Sequence, residues 1–177
     1  MLPATLPYPV PLCVTLLAIV AASTDITSRR IPNRVIAIGL VGALVAQCAL
    51  HGVTVGVLTW LAGAATGFGL LLPFYLLRGM AAGDVKLMLA IGAWVGAHMA
   101  FCIVLAAFVA GGIGALAFAF AHGRMRQMLT NVRMLMTGRA NGSRAGGDPV
   151  EIASVGTLPY GVAIAAGTLG MVFASCA

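Results

Sequence analysis

Two isolated aspartates are the first candidates for chemistry in this apolar sequence. Asp25 and Asp84 are the only acidic residues before Asp148, and each lies at the edge of a hydrophobic segment. An acid at a membrane boundary is costly to place, which indicates a function. Two carboxyl groups at close range do not both ionise, so one holds a proton while the other is charged. Such a pair can activate water against a peptide carbonyl and protonate the leaving amine.

The composition places these acids in a membrane protein. The chain has 177 residues, of which 61% are hydrophobic and 8% are charged, whereas a soluble domain carries about 25% charged residues. The length fits a single domain over residues 1–177. The net charge of +6 does not indicate nucleic-acid binding, because no basic stripe interleaved with aromatic residues is present. We interpret the charge as a signal of membrane topology.

The cysteines and histidines do not form a metal-binding pattern. No C-x-x-C pair exists, and the residues of both types are scattered: Cys13, Cys48, Cys102, Cys176, His51, His98 and His122. We expect the cysteines to be small buried hydrophobic residues, with no zinc site, no disulfide framework and no cofactor. The first positive charge, Arg29, follows the first apolar run, which favours a retained membrane span over a cleaved signal peptide.

The uncharged runs of the chain set the number of membrane spans. They are Met1–Thr24, Val35–Leu77, Leu87–Gly123 and Ile152–Ala177. A spanning helix takes about 20 residues, so the first and last runs hold one span each and the middle runs two each. With turns at His51-Gly52 and Gly96-Ala97-His98, the sequence predicts an all-α protein with six transmembrane helices, at residues 10–28, 33–50, 54–77, 84–97, 99–121 and 156–175.

The basic residues orient these spans. All ten fall in loops on one predicted side, and the side that carries both termini has none: Arg29, Arg30, Arg34, Arg78, Lys86, Arg124, Arg126, Arg133, Arg139 and Arg144. Cytoplasmic loops carry the excess of Lys and Arg. We therefore expect both termini outside the cytoplasm, with Asp25 and Asp84 at the cytoplasmic face.

The longest predicted loop, residues 122–151, is cytoplasmic and has two parts. Residues 124–136 have apolar residues at helical spacing, which is typical either of a helix lying on the lipid surface or of a solvated extension of the fifth span. Residues 138–149 are rich in Gly, Asn, Ser and Arg, which predicts a flexible linker. Asp148 and Glu151 are expected to be solvated loop charges.

The neighbours of the two acids and the glycine spacings predict local geometry. Gly83 permits close approach to Asp84, and Lys86 should point away from it, towards the cytoplasmic surface or another loop. Pro32 lies near the start of the second helix, with Asn33 available for capping. Three G-x-x-x-G spacings permit close helix packing, at Gly52/Gly56, Gly63/Gly67 and Gly92/Gly96. From these residues alone, catalysis, a helix-boundary role and cation coordination all remain open.

Three motifs in order resemble the type IV prepilin peptidase family, membrane aspartic proteases of the G-x-G-D class. Asp25 is followed by Ile31-Pro32-Asn33, the next motif is Gly83-Asp84-Val85-Lys86, and Leu158-Pro159-Tyr160-Gly161 opens the last predicted helix. The resemblance covers roughly residues 11–175. One position departs from the pattern: Ala81 stands where the first glycine of G-x-G-D belongs, and we expect so small a residue to preserve the close approach.

The resemblance implies a function and a set of site residues. Asp25 and Asp84 are the implied catalytic pair, supported by Gly83, Lys86, Pro32, Asn33, Pro159 and Tyr160. The implied activity is cleavage of the leader of prepilins and pseudopilins at the cytoplasmic face of the bacterial inner membrane, so those substrates and the lipid bilayer are the implied partners. Without a C-x-x-C region, the chain is similar to the peptidase-only form of tight-adherence (Flp) pilus systems, for which no N-methyltransferase activity is expected.

Two other functions compete with this expectation. The same acids would serve a small cation or proton transporter as ion ligands, although transporter sites usually lie at the membrane midplane and both acids lie at one rim. A non-catalytic assembly factor for a pilus or secretion machine would need neither acid. The sequence does not indicate an oligomeric state.

Overall fold

The protein is all-helical wherever its structure is described, as predicted. The computed structural model describes residues 7–28, 32–77, 80–121, 123 and 160–176. These residues form α1 (Val10–Ser28), α2 (Asn33–His51), α3 (Val53–Leu76), α4 (Ala82–Ala121) and α5 (Tyr160–Cys176). The predicted cytoplasmic loop lies outside the described residues apart from Gly123, and so do its candidate helix at 124–136 and the acids Asp148 and Glu151.

Both predicted turns are confirmed, and each depends on a glycine. Gly52 separates α2 from α3 with φ 80° and ψ 163°. Gly96 interrupts α4 with φ 78° and ψ 173°, dividing it into residues 82–95 and 97–121. These positive φ values are open to glycine at little cost, whereas an L side chain rarely adopts them. The two parts of α4 match the predicted fourth and fifth helices to within two residues at each end.

The lengths and surfaces of the helices are those of a membrane protein. Asn33–His51, Val53–Leu76 and Ala82–Ala117 are long and apolar enough to cross a membrane, and Val10–Asp25 and Gly161–Ser175 are shorter apolar helices. Large apolar side chains also cover the outside of these helices, among them Ile38, Val45, Leu58, Val109 and Phe173. Apolar surface on this scale is unstable in water and is suited to lipid.

The chain divides into two compact units. One consists of Met1–Gly111 with Pro159–Ala177, and the other of Gly112–Leu158. The described residues of the second unit are the end of α4 and Gly123. The prediction of one domain over residues 1–177 stays a prediction. All the contacts described below belong to the first unit.

The first part of α4, residues 82–95, is the central element of the first unit. Leu87, Met88 and Ile91 are fully buried, and Val14 of α1 and Ile164 of α5 are fully buried in the same core. A helix that is apolar on all sides can be enclosed by its neighbours rather than presenting one face to them. Asp84 and Val85, at the start of α4, are buried in the end of the bundle, whereas Ala82 and Lys86 are exposed.

Backbone-to-backbone contact holds α3 against α4. A Cβ atom built on Gly63 would overlap the carbonyl oxygen of Gly92, and one built on Gly92 would overlap that of Gly63. Gly67 meets the carbonyl oxygen of Met88 in the same way. Small residues allow this approach, because association in lipid relies on close packing rather than on the hydrophobic effect. The predicted role of the Gly63/Gly67 spacing is confirmed, whereas Gly52 and Gly96 of the other spacings serve the turns.

A buried glutamine of α2 satisfies the helix end created at Gly96. Breaking α4 leaves the last carbonyl groups of residues 82–95 without their usual intrahelical donors. Gln47, only 3% exposed, donates from Nε2 to the carbonyl oxygen of Trp94 at 2.7 Å. Three free cysteines have described side chains, Cys13, Cys48 and Cys102, and these are half-buried, so they are less enclosed than predicted.

The packing of α3 on α4 predicts a position-specific cost of adding one methyl group. Gly63→Ala should lower the free energy of unfolding by about 1–3 kcal/mol, because the new Cβ forces the two backbones apart. Gly69→Ala is the matched control on the same helix, since its Cβ would meet no atom within 4 Å. Thermal unfolding in detergent measures both, and equal effects of the two substitutions would contradict the backbone contact.

Candidate active site at one end of the helix bundle

Four helix ends meet at the end of the bundle that carries the two predicted acids. Asp25 of α1 is hydrogen-bonded to Gly161 at the start of α5, and its charge acts on Asp84 at the start of α4. Lys86 of α4 is hydrogen-bonded to Asn33 at the start of α2. The C-terminal end of α1 thus lies with the N-terminal ends of α2, α4 and α5. This antiparallel arrangement assembles residues that are far apart in the sequence.

Asp25 lies in the last turn of α1 and contacts the backbone of α5. Its Oδ2 atom accepts a hydrogen bond from the N–H of Gly161 at 3.1 Å, and the side chain is half-buried. The N–H groups in the first turn of a helix have no intrahelical acceptor. The carboxylate therefore binds at a point where the helix offers a free donor and the positive end of its dipole.

Asp84 lies in the first turn of α4 and is buried, with 4% of its surface exposed. Its backbone N–H donates to the carbonyl oxygen of Ala81 at 3.2 Å, which forms a tight turn just before the helix. Ala81 itself is exposed. Alanine at this position, where the family pattern has glycine, is therefore compatible with a turn that delivers Asp84 to the core.

The two carboxyl groups lie close enough for the charge of Asp25 to repel charge on Asp84. Two neighbouring acids in such a setting favour a state with a single shared negative charge. One group can then accept a proton while the other donates one. This arrangement can supply acid and base chemistry at a single point on the bundle, and the role of the two acids as a catalytic pair stays a prediction.

Lys86 and Asn33 connect the starts of α4 and α2. Lys86 Nζ donates to Asn33 Oδ1 at 3.2 Å, so its partner is the first residue of α2 rather than a loop, whereas the cytoplasmic surface or another loop was expected. The expected capping role of Asn33 is wrong: Pro32 is the N-cap residue, and no side-chain hydrogen bond caps α2. Asn33 is the first residue of the helix, and its side chain accepts from the lysine instead.

The remaining predicted site residues lie at the same helix starts. Gly83 precedes Asp84 in the first turn of α4 and is half-buried, and Tyr160 is the first residue of α5. Pro159 lies outside the described residues. Gly161 was quoted in the last sequence motif but not chosen as a site residue. The signal that would have found it is a glycine in the first turn of a helix, where a carboxylate can reach the backbone.

Arg34 and Lys86 are the two basic residues within the described part of the chain. Both are exposed, and they lie at the starts of α2 and α4, at the same end of the bundle as Asp25 and Asp84. No group of three or more His, Cys, Asp or Glu side chains that would hold a metal ion occurs among the described residues.

The contact between Lys86 and Asn33 predicts a measurable coupling. A double-mutant cycle with Lys86→Met and Asn33→Ala, read as free energies of unfolding in detergent, should give an interaction energy of about 0.5–1.5 kcal/mol, as for a solvent-accessible hydrogen bond. Methionine keeps the apolar stem of the lysine and removes its donor. Additive effects of the two substitutions would contradict the contact.

Comparison with known proteins gives one match. No individual curated protein and no solved structure matches the chain significantly. The sequence model of the type IV leader peptidase family matches residues 12–116, more than half of the chain. The matched range includes both aspartates and the first four helices up to residue 116. The chain belongs to the type IV leader peptidase family, and it is a membrane protein of a protease family.

Proposed function

We propose that this protein is an aspartic endopeptidase that removes the leader peptide from type IV prepilins and pseudopilins of the Flp type. Cleavage takes place at the cytoplasmic face of the bacterial inner membrane, with Asp25 and Asp84 as the catalytic pair. The observation that carries the proposal is the meeting of these two acids, from different helices, at one end of an apolar bundle. Membership of the leader peptidase family supports the same reaction.

The mechanism follows from two carboxyl groups that share one proton. The ionised carboxylate takes a proton from a water molecule, and the oxygen of that water attacks the peptide carbonyl carbon. At the same time the protonated carboxyl group donates its proton to the carbonyl oxygen. Breakdown of the resulting diol returns a proton to the departing amine. The apolar bundle around Asp84 limits competing water, so the carboxyl groups act on a peptide bond that is positioned beside them.

The apolar outer surface suits the transmembrane helix of the substrate. A prepilin carries its positively charged leader immediately before an apolar helix, so that helix can remain in lipid against the bundle while the junction reaches the acids. Large exposed side chains such as Ile38 and Leu58 provide contact area on that surface. The site lies at a bundle end rather than at its centre, which fits cleavage at the membrane rim better than ion transport through the midplane.

Charge removal tests the catalytic pair. On co-expression with a cognate prepilin, Asp25→Asn and Asp84→Asn should each abolish formation of mature pilin, because an amide neither accepts nor donates the required proton. Asp148→Asn is the matched control, since it makes the same change at an acid expected to lie in the solvated loop. Detergent-solubilised yield and unfolding temperature show whether each variant folds. Mature pilin produced by either of the first two variants would overturn the proposal.

Reporter fusions test the proposed orientation of the six spans. Alkaline phosphatase fused after Ala177 should be active, because that enzyme folds only outside the cytoplasm and the C-terminus is proposed to lie there. Green fluorescent protein inserted near position 142 should fluoresce, because the basic loop is proposed to be cytoplasmic. The reverse pair of results would place the acids on the other face of the membrane.

A further inference from the structure

The carboxylate of Asp25 rests directly on the backbone of α5. The N–H of Gly161 donates to Asp25 Oδ2 at 3.1 Å, and a Cβ atom at position 161 would lie 2.6 Å from that oxygen and 3.0 Å from Cγ. Both distances are below normal contact. Glycine is therefore the residue that lets the carboxylate reach the amide, since any other side chain would displace it.

The environments of the two acids differ in a way that separates their roles. Asp25 is half-buried and its Oδ2 atom accepts a hydrogen bond from the N–H of Gly161 at the start of α5. Asp84 is 4% exposed, and burial in apolar surroundings disfavours a charge. A backbone N–H only donates, so it pairs with an ionised oxygen better than with a protonated one. The single negative charge of the pair is therefore favoured on Asp25.

We propose that the amide of Gly161 positions Asp25 as the ionised member of the pair, so that Asp25 is the general base and Asp84 the general acid. This inference rests on the proposed peptidase function. Gly161 acts through Asp25 and is a positioning residue rather than a catalytic one.

The assignment gives a balanced reaction. The water oxygen forms a bond to the peptide carbonyl carbon, its proton passes to Asp25, and the proton of Asp84 passes to the carbonyl oxygen, which gives a neutral diol. The C–N bond then breaks as Asp25 gives its proton to the nitrogen and Asp84 takes one from a diol hydroxyl. The products are a carboxylic acid and an amine, and the enzyme returns to ionised Asp25 and protonated Asp84.

Kinetics of Gly161→Ala test the positioning role. The added methyl group displaces the flexible end of Asp25, so kcat should fall by about tenfold to a hundredfold while KM for a prepilin peptide stays within about twofold, since the substrate surface is unchanged. Gly170→Ala is the matched control on the same helix, because its Cβ would meet no atom within 4 Å, and it should leave both constants unchanged. An unaltered kcat, or a change confined to KM, would overturn the inference.

A stability cycle tests the contact without any need for activity. Gly161→Ala should lower the unfolding temperature in the parent protein but not in an Asp25→Ala background, where the overlapping carboxyl group is gone. An equal loss in both backgrounds would show that the methyl group meets something other than Asp25. Cleavage that survives Asp25→Asn would defeat the proposed function itself, whereas normal turnover by Gly161→Ala would defeat only this inference.

Infrared spectroscopy tests the assignment of the proton. The chain has four acidic residues, so the carbonyl stretch of a protonated carboxyl group, followed as the pH is lowered, is attributable by substitution. The first band to appear should be missing in Asp84→Asn, and in Asp25→Asn it should appear only at lower pH, because that variant lacks the negative charge that repels charge on Asp84. A band that is unchanged in Asp84→Asn would place the proton on Asp25 and reverse the assignment.

Discussion

The proximity of two carboxyl groups in an almost entirely apolar protein is the constraint on which the rest of the structure depends. Charge is costly to hold away from water, and like charges repel. A hydrogen bond from the N–H of Gly161, at the start of α5, replaces part of the solvation that Asp25 loses. Burial of Asp84 disfavours a second charge beside the first, so the repulsion between like charges is avoided. Both arrangements require that helix starts from distant parts of the sequence lie at the same end of the bundle.

Backbone contact between α3 and α4 holds the segment that carries Asp84 in position. The first part of α4 is enclosed by its neighbours, and its register against α3 is set by Gly63, Gly67 and Gly92, where a single methyl group has no space. The break at Gly96 ends this segment, and Gln47 satisfies the carbonyl group of Trp94 at that break. The helix segment that carries Asp84 is thus held by contacts at Met88, Gly92 and Trp94. A proton-transfer site needs such support, because small displacements of the reacting groups are costly.

Glycine allows close contact at two kinds of position in this protein, between two helix backbones and between a backbone and a carboxylate. At Gly63 and Gly92 the absent side chain lets two helices touch, and at Gly161 it lets a carboxylate reach a peptide N–H. In the first case the benefit is close packing in lipid. In the second it is the placement of a charge beside a free donor. This member of the leader peptidase family has few polar residues, and its candidate site therefore depends largely on backbone groups and on the spaces that glycine leaves.

The sequence by itself determined the helices, their turns and the two acids. Long uncharged runs predict membrane helices because lipid offers no partner for the backbone, and glycines at 52 and 96 mark the reversals. Asp25 and Asp84 identified the candidate site because an isolated acid is costly to place at the boundary of a membrane. Only the tertiary structure decided that Asn33 bonds to Lys86 rather than capping α2, and that Gly161 supports Asp25. These contacts join residues on different helices, and local patterns carry no information about which helix starts become neighbours once the bundle packs.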